Sequence, residues 1–224
     1  MLNMMKLDWL SMKSSRNKLL ITYAFAGVVI TIVSPNFALV MLPYLAQEIA
    51  SHLFVTEEEG KVNRLYINLP INRKTIVRSR FWFVLVGCAI GVITAIILTL
   101  AIYALPVTVL PLIASDQDLS IIVLASGILL CALMNIASIP VYFKVGYGRG
   151  KIVATVAFIT IPALALLPVF LSQQFDIIGE FFVPIWEWIV VNIVWTSVVL
   201  MCVSALIFAA SYVLSQRIFA AREF

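Results

Sequence analysis

The sequence predicts an all-α membrane protein, with an N-terminal interfacial helix followed by six transmembrane helices. Three observations carry this expectation. Residues of the AVILMFWYC set make up 63% of the 224-residue chain and charged residues only 12%, against about 45–50% and about 25% in soluble domains. Mean hydropathy is +1.09. Lys and Arg gather in four short segments separated by long apolar runs. So little charge cannot coat a water-facing surface. That excludes a soluble globular domain, a disordered chain, a collagen-like fibre and a nucleic-acid-binding module, despite the net charge of +4.

Residues 1–18 are amphipathic. Leu2, Met5, Trp9 and Met12 recur at helical spacing, with Lys6, Lys13, Arg16 and Lys18 elsewhere, the pattern of a helix lying in the membrane interface. The apolar run 19–55 is broken at Ser34-Pro35-Asn36, which leaves one long span or a hairpin of two, 19–34 and 37–55. Later spans fall at 81–105, 120–143, 152–171 and 185–214, each near the roughly 20 residues that a crossing needs. Pro162 and Pro168 are expected to kink the fifth.

Charge chooses the hairpin, because cytoplasmic loops carry the excess of Lys and Arg. Of the fifteen basic residues, four lie in 1–18, six in 56–80, three in 144–151 and two in 215–224, and the loops 34–36, 106–119 and 172–184 contain none. With six spans all fifteen face the cytoplasm, and both termini are cytoplasmic. A single span over 19–55 would turn the six of 56–80 outward. No small-x-small cleavage site follows the first apolar run, so it is expected to be retained rather than removed as a signal peptide.

Residues for chemistry are few. The chain has one His, and neither HExxH nor GxSxG occurs. Gly146-Tyr147-Gly148-Arg149-Gly150-Lys151 resembles a phosphate loop only superficially. Val145 stands where the first Gly should be and Ile152 where Ser or Thr should follow the Lys, so the stretch reads as a flexible basic turn. Cys88, Cys131 and Cys202 sit singly in apolar runs and read as small buried hydrophobes. No catalytic, cofactor or metal site is expected in this chain.

The informative segment is 56–80. Thr56 followed by Glu57, Glu58 and Glu59 reads as a capping box whose acids suit a helix N-terminus. Val62, Leu65, Tyr66 and Leu69 then form one apolar stripe at i, i+3, i+4 and i+7, and Pro70 ends the helix. Residues 57–69 therefore read as a short amphipathic helix. A competing reading lets the second span run on to Glu59 and stop at Gly60. The stripe is preceded by acids rather than flanked by the Lys and Arg that an anionic membrane attracts. It therefore reads as a surface for docking a partner more than for resting on lipid.

Glu58-Glu59-Gly60 and Tyr66-x-x-Leu69-Pro70-Ile71-x-Arg73-Lys74-x-Ile76-Val77-x-Ser79-Arg80 resemble the loop after the second span of type-2 ABC exporter permeases. These are the small six-span subunits of bacterial exporters for phenol-soluble modulins, lantibiotics and related peptides. Gly146-Tyr147 before the fifth span and the ending Arg222-Glu223-Phe224 also fit; Asn68 departs from the Ser common in the family. The resemblance implies an interfacial elbow helix, six spans and an external helical element at 173–188. It implies an assembly with a second permease subunit, identical or homologous, and two cytoplasmic ATPase subunits that carry ATP and Mg. It assigns 57–69 as the coupling helix. Glu57, Glu58, Glu59, Val62, Leu65, Tyr66, Leu69, Pro70 and Arg73 are then the ATPase-coupling residues. The implied function is ATP-driven export of amphipathic peptides or hydrophobic compounds through the cell membrane by alternating access.

Glu48 and His52 lie four apart on one face of the second span and are candidates for a translocation path, since ionisable groups in spans are functional by default. The blander reading is that they pair with each other or reach toward the cytoplasmic interface. A stand-alone secondary transporter or channel built on these two is the alternative function, and a membrane anchor for another complex is a third. Gly87-x-x-x-Gly91 permits close packing of helices inside the chain or at a dimer seam. Asn135 and Asn192 are expected to hydrogen-bond between spans. Trp186, Trp188 and Trp195 suit the outer interfacial belt and the upper last span.

Overall fold

The computed structural model describes residues 9–10, 12–59, 73–104, 121–174, 183–185, 187–189 and 191–221. These form six long helices: α1 (Lys13–Val33), α2 (Pro35–Glu59), α3 (Arg73–Tyr103), α4 (Ile121–Val145), α5 (Tyr147–Gln174) and α6 (Ile193–Ala220). The described residues include no β-strand. Five of the helices contain segments long and apolar enough to cross a membrane: Arg16–Val33, Pro35–Val55, Lys74–Tyr103, Ile121–Val145 and Ile193–Ala220. The other, α5, has 28 residues and extends about 42 Å at 1.5 Å per residue. It runs unbroken through Pro162 and Pro168.

The hairpin is present. Ser34 is extended between α1 and α2 and donates its backbone N–H to the Ile30 carbonyl, while Pro35 opens α2, a position where its missing N–H costs nothing. The two helices return antiparallel, since a Cβ on Gly27 would meet the Leu42 side chain at 3.2 Å. Alternation continues through the bundle. Gly87 and Gly91 of α3 lie against Ala50, Ala46 and Pro43 of α2, so α3 runs opposite to α2. Gly150 of α5 lies on Tyr142 of α4 across a one-residue corner at Gly146, whose φ is 84°. That conformation favours glycine. The basic stretch expected to be a flexible turn is therefore a tight corner between two helices. The alternation brings the described basic residues Lys13, Arg16, Lys18, Lys74, Arg78, Arg80, Lys144, Arg149, Lys151 and Arg217 to one end of the bundle.

Several boundaries differ from the expectation. Lys13 to Lys18 belong to α1 rather than to a separate interfacial helix; the rest of that segment is described only at Trp9, Leu10 and Met12. Met12 is buried, and the Trp9 ring lies 6.4 Å from that of Phe83. The third helix starts at Arg73 rather than 81, because backbone hydrogen bonding continues through basic residues that a hydropathy window excludes. The last begins at Ile193 rather than 185. Its N-cap is Asn192, outside helical geometry at φ −110° and ψ 39°, whose amide donates to the Trp188 carbonyl at 3.0 Å. That bond is local, so Asn192 does not link two spans as expected. The external element expected at 173–188 lies largely outside the described residues. Trp188 and Trp195 are exposed, and Trp186 lies outside the described residues.

Close packing of α2 on α3 needs the two glycines. A Cβ on Gly91 would lie 2.5 Å from Pro43 Cα and 2.8 Å from the Leu42 carbonyl oxygen. Gly87-x-x-x-Gly91 thus seats α3 on α2 within the chain. On α6, the buried Ser197, Ser204 and Ser211 recur every seven residues, with Ser215 one turn further. Ser211 Oγ donates to the Asn135 side-chain Oδ1 at 3.4 Å and lies 3.3 Å from its backbone carbonyl oxygen, so Asn135 does bridge two spans. The exposed apolar side chains of α1, α3 and α6, Phe25, Ile97 and Leu206 among them, face lipid in a chain of this composition.

Candidate functional site

The helix that leads into 60–72 and the helix that leaves it meet in one cluster at the basic end. Ala50 and Phe54 of α2, Ile76, Val77, Phe81 and Val84 of α3, Ile139, Tyr142 and Phe143 of α4, and Phe219 of α6 are buried together. Aromatic rings make the joints. Phe54 stands edge-on to Phe143 at 5.3 Å and tilted on Tyr142 at 5.3 Å. Phe143 meets Phe219 edge-on at 5.3 Å, and Phe81 meets Tyr212 of α6 at 5.3 Å. Such pairs add about 0.5–1.5 kcal/mol each beyond their buried area.

Arg80 sits inside this cluster with only 4% of its surface exposed. Its guanidinium lies 5.4 Å from the Phe54 ring centre and 5.8 Å from that of Phe143. A cation held over two desolvated rings gains about 2 kcal/mol or more from a ring face. Arg80 thus joins α3 to α2 and α4 at one point. In the sequence Arg80 is only the last basic residue of the 56–80 segment. Its burial depends on the tertiary approach of Phe54 and Phe143, which no local pattern reveals.

The expected coupling residues fall at the edge of what is described. Glu57, Glu58 and Glu59 are the last turn of α2, so Thr56 does not cap a new helix. The competing reading, in which α2 runs on to Glu59, is the observed one. No Gly or Pro intervenes before Gly60, and extending an existing helix avoids the cost of a new nucleus. Arg73 opens α3. Val62, Leu65, Tyr66, Leu69 and Pro70 lie outside the described residues.

Glu48 and His52 share a face of α2, but Glu48 hydrogen-bonds to Tyr44, one turn back on the same helix. The sequence offered Glu48 and His52 as translocation-path residues, or as partners of each other or of the interface, and did not single out Tyr44. Tyr44 packs with Cys88, Cys131 and Met134, near the middle of α3 and α4, so Glu48 sits deeper than expected. It belongs to a longer row, since Tyr44, Gln47, Glu48, Ser51 and His52 occupy i, i+3, i+4, i+7 and i+8 on one side of α2. Gln47 has none of its surface exposed, and neither end of its amide has a hydrogen-bond partner among the described residues. The period was present in the sequence, but only its two ionisable members stood out. Cys88 and Cys131 are buried as expected, whereas Cys202 is exposed.

Alternating helices with apolar outer faces, tied at one end by an aromatic cluster, define a multi-pass membrane protein. The chain matches the ABC-2 family transporter proteins over residues 3–220, and it belongs to that family. It is therefore the membrane subunit of an ABC transporter, a role that implies an ATPase partner and a lipid bilayer. No curated protein and no solved structure matches it.

Proposed function

We propose that this chain is the permease subunit of an ATP-driven exporter that moves amphipathic peptides or other hydrophobic compounds out of a bacterial cell by alternating access. Two cytoplasmic ATPase subunits, which carry ATP and Mg, and a second permease subunit, identical or homologous, complete the assembly. The basic end faces the cytoplasm, and with it both termini. The apolar stripe of Val62, Leu65, Tyr66 and Leu69, led by Glu57 to Glu59 and closed by Pro70 and Arg73, docks on an ATPase.

One observation supports this reading above the others. Both helices flanking 60–72 feed into the cluster around Arg80, and the same cluster holds α4 and α6. A push on the segment is then shared by four helices instead of being lost in bending. The bond from Tyr44 to Glu48 within one helix supports a structural role for Glu48 over a proton-coupled one.

Arg80→Met tests the relay. It keeps an apolar side chain of similar length but removes the cation from the two rings. Transport in vesicles is expected to fall about thirtyfold, in line with a desolvated cation–π contact of ~2 kcal/mol, while the ATPase stays bound. Unchanged transport would remove Arg80 from the relay.

A further inference from the structure

An apolar groove of about 550 Å³ opens on the side of the bundle, between Trp9 and helices α1, α2 and α3. Leu20 and Tyr23 of α1, Ile49 of α2, and Val86 and Ile90 of α3 form its walls. Its floor exists because Gly87 has no side chain there and Ala46 and Ala50 have small ones. Val86 and Ile90 are exposed, so the groove faces outward rather than into the bundle.

We propose that this groove binds an acyl chain of an anionic phospholipid from the leaflet at the basic end. Size and depth fit. At about 550 Å³ the groove is large enough to hold a segment of one acyl chain. From Arg80 to Ile90 the helix rises about 15 Å, half of a hydrocarbon core of about 30 Å. The groove therefore stays within one leaflet.

Chain burial alone selects no particular lipid, because a tail leaves surroundings as apolar as those it enters. The charge at the rim does select. The Arg16 guanidinium stacks over the Trp9 ring at 5.1 Å, which fixes a planar donor fork beside the mouth, and such a fork suits phosphate. Lys13 lies one turn before it, and among the described residues no acidic side chain lines the groove. A basic residue near an anionic surface contributes about fivefold in affinity, from ~1 kcal/mol each.

The full chain, reconstituted in phosphatidylcholine vesicles, is irradiated with trace phospholipid bearing a diazirine in one acyl chain. The probe has either a phosphatidylglycerol or a phosphatidylcholine headgroup, and labelled peptides are mapped by mass spectrometry. Label is expected to concentrate at Ile49, Val86 and Ile90, at least fivefold more from the anionic probe. Arg16→Gln should lower the anionic preference about fivefold, and adding Lys13→Gln should bring the anionic probe down to the zwitterionic level. Val86→Trp with Ile90→Trp, at exposed positions that the fold tolerates, should fill the groove and remove its label. Labelling of Leu206 on the outer face of α6 should persist and report intact insertion. Equal labelling by both probes, label no denser in the groove than at Leu206, or an Arg16→Gln variant that keeps the full preference would each overturn the proposal. So would an unlabelled groove in the wild type.

Discussion

Replacing Gly91 by Ala should cost far more than a methyl group normally does. The added Cβ would stand 2.5 Å from Pro43 Cα, 2.8 Å from the Leu42 carbonyl and 2.9 Å from Ala46 Cβ. Carbon atoms pack at about 3.5–4.0 Å, so α2 and α3 must part by about 1 Å. Two of the three obstacles are backbone and cannot swing aside. A gap of that size forfeits roughly a quarter to a half of each dispersion contact along the seam. The loss is expected near the top of the usual overpacking range, about 3 kcal/mol.

Gly27→Ala is the matched control. It is also a helical glycine beside Leu42, but its Cβ would meet side-chain carbons, Leu42 Cδ2 at 3.2 Å and Leu98 Cδ1 at 3.4 Å. Both substitutions gain the same helix propensity, about 1 kcal/mol, so their difference isolates packing. Thermal unfolding in detergent, followed by size-exclusion recovery, should show a midpoint well below wild type for Gly91→Ala and at or above it for Gly27→Ala. Equal midpoints for the two variants would refute the argument that these glycines seat α3 on α2.

Two further outcomes follow from the one-sided charge and from the bonding of Glu48. In a background lacking Cys88, Cys131 and Cys202, single cysteines at Asn36, Gln117 and Gln174 should react with an impermeant reagent from outside, and cysteines at Asn63 and Gly148 should not; outside labelling at Asn63 would break the six-span arrangement. Glu48→Gln should leave transport within about threefold of wild type, because a glutamine amide can still bond to Tyr44 at the ~1 kcal/mol scale of one neutral hydrogen bond. Complete loss in an intact complex would favour a proton-coupled site instead.

The hairpin and the five described helices long and apolar enough to cross a membrane were legible in the sequence, because both rest on coarse forces. Pro35 cannot continue the hydrogen bonding of α1, and fifteen basic residues avoid three of the connections. Gly87 and Gly91 were legible as a pair because their spacing puts both on one face. Helix ends were less so. Hydropathy measures the preference for lipid, whereas helix hydrogen bonding runs on through Arg73 to Arg80 and through Thr56 to Glu59. Asn192 reads as one polar residue in an apolar run until its side chain is seen on the Trp188 carbonyl. Arg80 is the clearest case of a site the sequence hides. An arginine at a span boundary ordinarily reaches for headgroups, and only the meeting of Phe54 with Phe143 offers it an alternative. The row from Tyr44 to His52 lies between these cases, since its helical period can be counted but its burial depends on α4 and α5.

Coupling to an ATPase rests on what docks at 57–69, and one substitution tests it. Leu65→Asp puts a carboxylate in the middle of the apolar stripe and leaves every span untouched. Burying an unpaired polar group in an interface costs about 2–3 kcal/mol, which is roughly a 30- to 150-fold loss of affinity. The permease and its ATPase are co-expressed, the permease is purified, and the ATPase retained and its hydrolysis are measured. Wild type should retain the ATPase, and Leu65→Asp should insert normally but lose it or hydrolyse ATP without transport. Full retention with normal coupled transport in Leu65→Asp would contradict the account.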